Sequence, residues 1–226
     1  MNRELYIQTI KKKCAFLEQE GYTFNQIETN IFYIKKTEKE GFKIRFSWTE
    51  YGDDFYTYGL SAEKRFNIVE QEIQRAVGGE LDYYTIYINP PLDCIPKNIE
   101  NLALGEDKMR FNLNTVNDID LFVNFVKEFY SKTALDFFKN HETLSCVDIQ
   151  LKELLENRKI QSILTSLDNT TILRFYVIAI ISENQSIKDF FNSTYFQYLN
   201  DNLDNEINKV EKDRLEKIQN SLSSKV

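Results

Sequence analysis

The four residues Tyr51-Gly52-Asp53-Asp54 are the first in the chain whose types and spacing could do chemistry. A Gly-Asp-Asp turn between two strands can hold Mg²⁺ for phosphoryl transfer, but only beside a second carboxylate on an adjacent strand, so that two ions bridge both. The neighbouring strand-like run, Ile31–Thr37 (IFYIKKT), contains neither Asp nor Glu. Gly and Asp also dominate hairpin turns for backbone reasons alone. The expected role of these residues is therefore a turn.

Other reactive groups are scattered. His141 is the single histidine, and the local sequence Lys139-Asn140-His141-Glu142 reads as an exposed helix end. One histidine cannot build a multi-histidine metal site. Cys14, Cys94 and Cys146 are far apart and odd in number, which argues against a disulfide framework or a Cys/His zinc site. Cys146 stands near an expected helix start, where a thiolate is favoured, yet nothing nearby in sequence would activate it. The pairs Asp118/Asp120 and Asp201/Asp204 suit the positive ends of helices. No P-loop, GxGxxG, HExxH or GxSxG motif occurs, so no catalytic residue, cofactor or metal is expected.

Tyrosine carries the remaining signal. The chain has 13 Tyr among 226 residues. Tyr22, Tyr33, Tyr51, Tyr83, Tyr84 and Tyr87 cannot all sit deep in a core with satisfied hydroxyls. Tyrosine is favoured where one end is apolar and the other wet. The candidate binding residues are Tyr33, Arg45, Tyr51, Tyr84 and Tyr87, with the irregular segment 90–107 as the rim of a groove.

The elements that position these residues follow from periodicity. Residues 3–20 read as a helix stopped by Gly21. Four strand-like runs follow, Tyr22–Gln26, Ile31–Thr37, Gly41–Thr49 and Phe55–Ser61, with short polar connections as in an antiparallel meander. Phe42, Ile44, Phe46 and Trp48 share one face of their strand, and Lys43, Arg45, Ser47 and Thr49 the other. A hairpin loop of odd length would set Trp48 and Phe46 against Tyr56, Tyr58 and Leu60. Register follows the hydrophobic pattern, so an odd loop is predicted, with Gly52 or an Asp in a left-handed conformation. Lys43, Arg45 and Thr57 would then face away from the helices.

Ser61 is expected to cap a helix running to Val77, with Glu63 and Lys64 in its first turn. Further strands are expected at Tyr83–Asn89 and Met109–Asn114. Everything later reads as helix: one capped by Asn117, one opened by a capping box at Ser145–Asp148, and others near 159–167, 170–183, 186–199 and 202–222. The last shows Leu203, Ile207, Val210, Ile218 and Leu222 interrupted by Arg214, too short a pattern for a coiled coil. The predicted fold is α+β: an antiparallel sheet of five or six strands packed with helices, followed by an all-helical C-terminal third. A soft boundary is expected near residue 140, between an α+β domain of residues 1–140 and a helical region of residues 141–226 packed on it as one unit.

Charge narrows the partners. The net charge is −7, and each half of the chain is net negative. A nucleic-acid partner therefore lacks its electrostatic footprint. Lys11-Lys12-Lys13 reads as a solvated helix face. The most apolar run, Ile172–Ile181, is half the length a membrane span needs and contains Arg174. No membrane association is expected, and the N-terminus has no apolar signal region, so the expected location is cytoplasmic.

The segment GYTFNQIETNIFYIKKTEKEGFKIRFSW (Gly21–Trp48) resembles the opening of uncharacterised bacterial domain-of-unknown-function proteins, in which a helix ends at a Gly-aromatic pair before a meander. The resemblance covers the first third of the chain and implies a small bacterial α+β protein, with no catalytic residue to carry over. The leading expectation is a non-enzymatic protein-binding module of immunity or defence-accessory type, masking a basic partner by electrostatic steering. The rivals are an enzyme with a site dispersed in sequence and a structural subunit that oligomerises. The sequence leaves the oligomeric state open.

Overall fold

A computed structural model describes residues 2–78, 84–91, 110–156 and 169–223. The elements in chain order are α1 (Arg3–Lys13), α2 (Ala15–Gln19), β1 (Thr23–Ile27), β2 (Asn30–Lys36), β3 (Glu40–Tyr51), β4 (Asp54–Phe66), α3 (Asn67–Val77), β5 (Ile86–Ile88) and β6 (Arg110–Asn112). Then come α4 (Val116–Phe129), a π-helical segment at Tyr130–Ala134, α5 (Leu135–Asn140), α6 (Leu144–Glu156), α7 (Asn169–Ile181) and α8 (Gln185–Phe190). A second π segment at Phe191–Tyr195, α9 (Phe196–Asp201) and α10 (Glu206–Ser223) complete the series. The fold is α+β, as expected. The chain divides into two compact units, Met1–Lys64 with Ile86–Lys139, and Arg65–Thr85 with Asn140–Val226.

The first unit is a six-stranded antiparallel sheet with helices on one face. Strands β1 to β4 are neighbours in chain order, and β5 and β6 both pair with β4. Asn2 opens α1 by accepting from the Leu5 amide at 2.9 Å, satisfying one of the unpaired donors of the first turn. Tyr6, Ile10, Cys14 and Leu17 then recur at helical spacing and are buried. Cys14 divides the expected single helix into α1 and α2. Thr115, not Asn117, caps α4: its side chain and that of Asp118 bond reciprocally in a capping box. Ile119, Phe122, Val126 and Phe129 of α4 pack on the strands, with Phe46 and Phe122 ring centroids 5.1 Å apart.

The β3–β4 hairpin departs from the expected register. Its loop holds two residues, Gly52 and Asp53, and is therefore even. Gly52 has φ +63°, the left-handed conformation that the turn demands. The even loop turns Thr57 inward and Tyr56 and Tyr58 outward, the reverse of expectation. Thr57 lies opposite Phe111 and is fully buried, and its hydroxyl bonds that of Tyr6. Tyr56 and Tyr58 lie opposite Asn112 and Arg110.

Farther along β4 the parity changes. Leu60 and Ala62 are buried in the same core as Phe55. Between them stands Gly59, exposed, with φ +68°. One residue in this conformation inserts a β-bulge and swaps the faces of everything after it. Hence β3 keeps its aromatic face on the core, and both halves of β4 supply it from opposite parities.

The strand also runs past Ser61 to Phe66, where a helix was expected. Glu63 and Lys64 are strand residues on opposite faces. Glu63 pairs with Lys43 at 2.6 Å, and Lys64 with Glu40 at 3.0 Å.

The second unit is helical and holds buried charge. The carboxylate of Glu70 on α3 accepts two bonds from Arg174 on α7, Nε to Oε1 and Nη2 to Oε2, both at 2.8 Å. The Thr85 hydroxyl donates to Oε1 at 2.8 Å and accepts from the Phe66 amide at 3.0 Å. Glu70 is fully buried, and Arg174 is nearly so. Ser221 on α10 donates to Glu72 of α3 at 2.9 Å.

The inward seam of α10 is Asn208, Glu211, Leu215, Ile218 and Leu222, alternating in steps of three and four. Ile207 and Val210, expected in that seam, are exposed. Glu211 tolerates its place because Tyr195 donates to its carboxylate, while burial pushes its carboxyl pKa up. The sequence expectation of a helix near 159–167 falls outside the described residues. Among the described residues no helix is long and apolar enough to cross a membrane.

Two outcomes follow. Gly59→Ala, which meets no atom within 4 Å at its new methyl, carries only the cost of the left-handed backbone. It should lower stability by about 1–2 kcal/mol in denaturant titration. Arg174→Ala should cost about 3–5 kcal/mol by leaving the buried Glu70 carboxylate without its counter-charge. The double substitution Glu70→Met with Arg174→Met should recover most of that loss.

Candidate functional site

The candidate site is the face of the first unit's sheet that turns away from α1 and α4. Strand alternation puts Lys43, Arg45, Ser47, Thr49 and Tyr51 of β3 on it. Cross-strand pairing adds Phe32 opposite Arg45, Asn30 opposite Ser47, and Tyr87 opposite Glu63. The even hairpin loop adds Tyr56 and Tyr58, with Asn112 and Arg110 beside them.

The middle of this face is a polar network in which two cations, Lys43 and Arg45, share one carboxylate, Glu63. Glu63 accepts from Ser61 at 3.1 Å, pairs with Lys43 at 2.6 Å and lies 3.9 Å from Arg45. The Lys43 ammonium sits 5.3 Å from the centre of the Phe32 ring. Asn30 Oδ1 accepts from Ser47 at 2.7 Å and from Arg45 at 3.3 Å. Lys43 is 3 % exposed, so its charge is held by carboxylate and ring rather than by water. The ion pair with Glu63 and the Phe32 ring fix the Lys43 ammonium in place, which suits a positioning role.

Toward the hairpin the face opens into a cleft of about 500 Å³ lined by Thr49, Tyr51, Tyr56, Tyr58 and Arg110. Tyr51 is 81 % exposed and stands at the rim. The Tyr56 hydroxyl donates to Asp54 at 3.3 Å. Its pKa is raised, first by its partial withdrawal from water and then by the Asp54 carboxylate. Asp54 also accepts from the Asn114 amide, and Asn114 Oδ1 accepts from the Phe55 amide at 2.9 Å. The base of the hairpin is thereby tied to the segment after β6.

Of the five residues named from sequence, three reach this face: Arg45 near its middle, Tyr51 at the cleft and Tyr87 at 67 % exposure on β5. Tyr33 does not. It is fully buried on the core face, edge to face with Phe24 at 5.5 Å. Burial first, and the neighbouring Cys14 second, push its phenol pKa up. Tyr33 belongs to the core because β2 places Ile31 and Tyr33 inward and Asn30 and Phe32 outward. Tyr84 is half-buried and belongs to the second unit. Tyr83 and the groove segment 92–107 lie outside the described residues.

Sequence reasoning missed Tyr56, Tyr58 and Arg110. The signal for the first two was Gly59, since an isolated glycine within a strand pattern marks a bulge.

The other reactive groups find structural places. Asp53 is an exposed turn residue, and Asp54 is engaged by Asn114 and Tyr56. Among the described residues no group of three or more His, Cys, Asp or Glu side chains could hold a metal ion. His141, expected to be exposed, is 8 % exposed just beyond α5. Cys146 lies 3.4 Å from the Thr143 hydroxyl near the start of α6, and Cys94 is outside the described residues.

Cys14 is wholly buried, and burial pushes its thiol up to about 12. Near neutral pH it carries almost no thiolate, the reactive form. A disulfide reagent at pH 8 should therefore modify Cys146 in the folded protein and leave Cys14 untouched until denaturant is added, as peptide mapping would show. No family model matches this chain, and none of the curated proteins or solved structures compared with it is similar to it.

Proposed function

We propose that the chain is a bacterial, cytoplasmic protein-binding module of immunity or defence-accessory type, which uses the outer face of its sheet to mask a basic partner. The observation that carries this reading is the convergence of Arg45, Tyr51 and Tyr87 on one face, with both tyrosines exposed. Exposed tyrosine and arginine supply most of the binding free energy at protein interfaces, because a large apolar body and a polar tip are presented together. The net charge of −7 adds long-range attraction for a basic protein and raises its rate of encounter. Glu50 and Asp53 add exposed carboxylates at the hairpin tip.

A photo-crosslinking side chain at position 87 tests the reading, with position 121 on α4 as the control. Position 87 should yield a discrete product with a basic protein identified by mass spectrometry, and position 121 should not. With that protein purified, Tyr51→Ala and Tyr87→Ala should each weaken the complex roughly thirtyfold, the size of a hot-spot loss near 2 kcal/mol. Equal crosslinking at both positions, or unchanged affinity in both variants, would sink the proposal.

A further inference from the structure

We infer that the cleft beside the hairpin is a binding site for a small organic anion whose carboxylate or phosphate is attached to a flat ring. Among the described residues that line the cleft, Arg110 alone is charged, and it is exposed. Among the described residues no carboxylate pairs with it. A guanidinium so placed offers a planar fork of donors that fits a carboxylate or a phosphate with two parallel bonds. Arg110 stands directly opposite Tyr58 in the β4–β6 pairing, so an anion bound to it brings any attached ring against tyrosine.

Tyr51, Tyr56 and Tyr58 form the rest of the wall, with Thr49 between them. Their faces supply offset or edge-on ring contacts. A cleft of about 500 Å³ suits a small molecule. Asp54, at the base of the hairpin, is already engaged by Tyr56 and Asn114, and among the described lining residues Arg110 sets the charge preference. A cationic ligand would stack on the tyrosines but meet Arg110, so charge separates the two classes. This site differs from the partner surface in ligand and in its key residues, although Tyr51 borders both.

Titration of the intact chain with four probes of similar size decides the matter: phenylacetate, phenyl phosphate, benzyl alcohol and benzylammonium, followed by ligand-observed NMR. At least one of the two anions should bind saturably and about tenfold or more tighter than the alcohol and the ammonium, the size expected of a charge-assisted contact. The stronger of the two anions identifies carboxylate or phosphate as the natural group. Arg110→Gln, at an exposed position, should erase the preference for anions. Tyr58→Leu should weaken the ring-bearing anions while leaving acetate and inorganic phosphate unchanged. Saturable binding led by benzylammonium, no saturable binding of either anion, or an anion preference that survives Arg110→Gln would overturn the inference. Circular dichroism of both variants separates loss of the site from loss of the fold.

Discussion

An extended strand has two faces, and β4 must give both of its halves to one core. Phe55 and Thr57 reach that core on odd positions, and Leu60 and Ala62 on even ones. A regular strand cannot do this. The single residue Gly59, at φ +68°, absorbs the difference. Its effect on the opposite face is as large. Before the bulge, Tyr56 and Tyr58 line a cleft. After it, Ser61 and Glu63 build a polar network with Lys43 and Arg45. The bulge therefore separates two chemically different parts of one surface, aromatic and open on one side, ionic and closed on the other.

The closed parts follow a common rule. Among the described residues, buried charges stand in ion pairs: Lys43 with Glu63, Lys64 with Glu40, Glu70 with Arg174, and Glu72 with Arg75. Such pairs add little net stability over apolar residues of the same shape, because both ions must leave water. What they contribute is discrimination, since a slipped register would strand a charge without its partner. The Glu70–Arg174 pair does this across two helices, and Thr85 fixes the carboxylate further by its own hydrogen bond. The Tyr195–Glu211 contact is a weaker version, in which the acid is neutralised more easily because its pKa is raised.

Much of the architecture was legible in the sequence, because it rests on local periodicity. The meander, the inward face of β3 and the helical C-terminal region each follow from apolar spacing. The errors arose where a long-range partner overrides a local pattern. Ser61, Glu63 and Lys64 resemble a helix start, but Lys43 and Glu40 on the adjacent strand hold them extended. Asn117 is a good cap in isolation, yet Thr115 with Asp118 satisfies two backbone donors at once. The seam of α10 was misplaced because Asn208 and Glu211 are polar and buried, while Ile207 and Val210 are apolar and exposed. Among candidate site residues, Tyr33 could not be told from Tyr51 by type. Only the pairing of Tyr33 with Ile44, and hence its place in the core, separates them. Arg110 carried no local signal, since its position depends on pairing across more than fifty residues with Tyr58.

The placement of the single tryptophan has an optical consequence. Trp48 is buried in the first unit, 5.7 Å from Tyr6 and 5.9 Å from Phe55, with the Arg3 guanidinium over its ring at 5.1 Å. Its emission therefore registers the melting of the sheet's aromatic core, and the second unit has no indole of its own. Far-ultraviolet circular dichroism, by contrast, weighs the helices of both units. The molecule thus carries two probes of different spatial reach, and whether their transitions coincide distinguishes one cooperative folding unit from two.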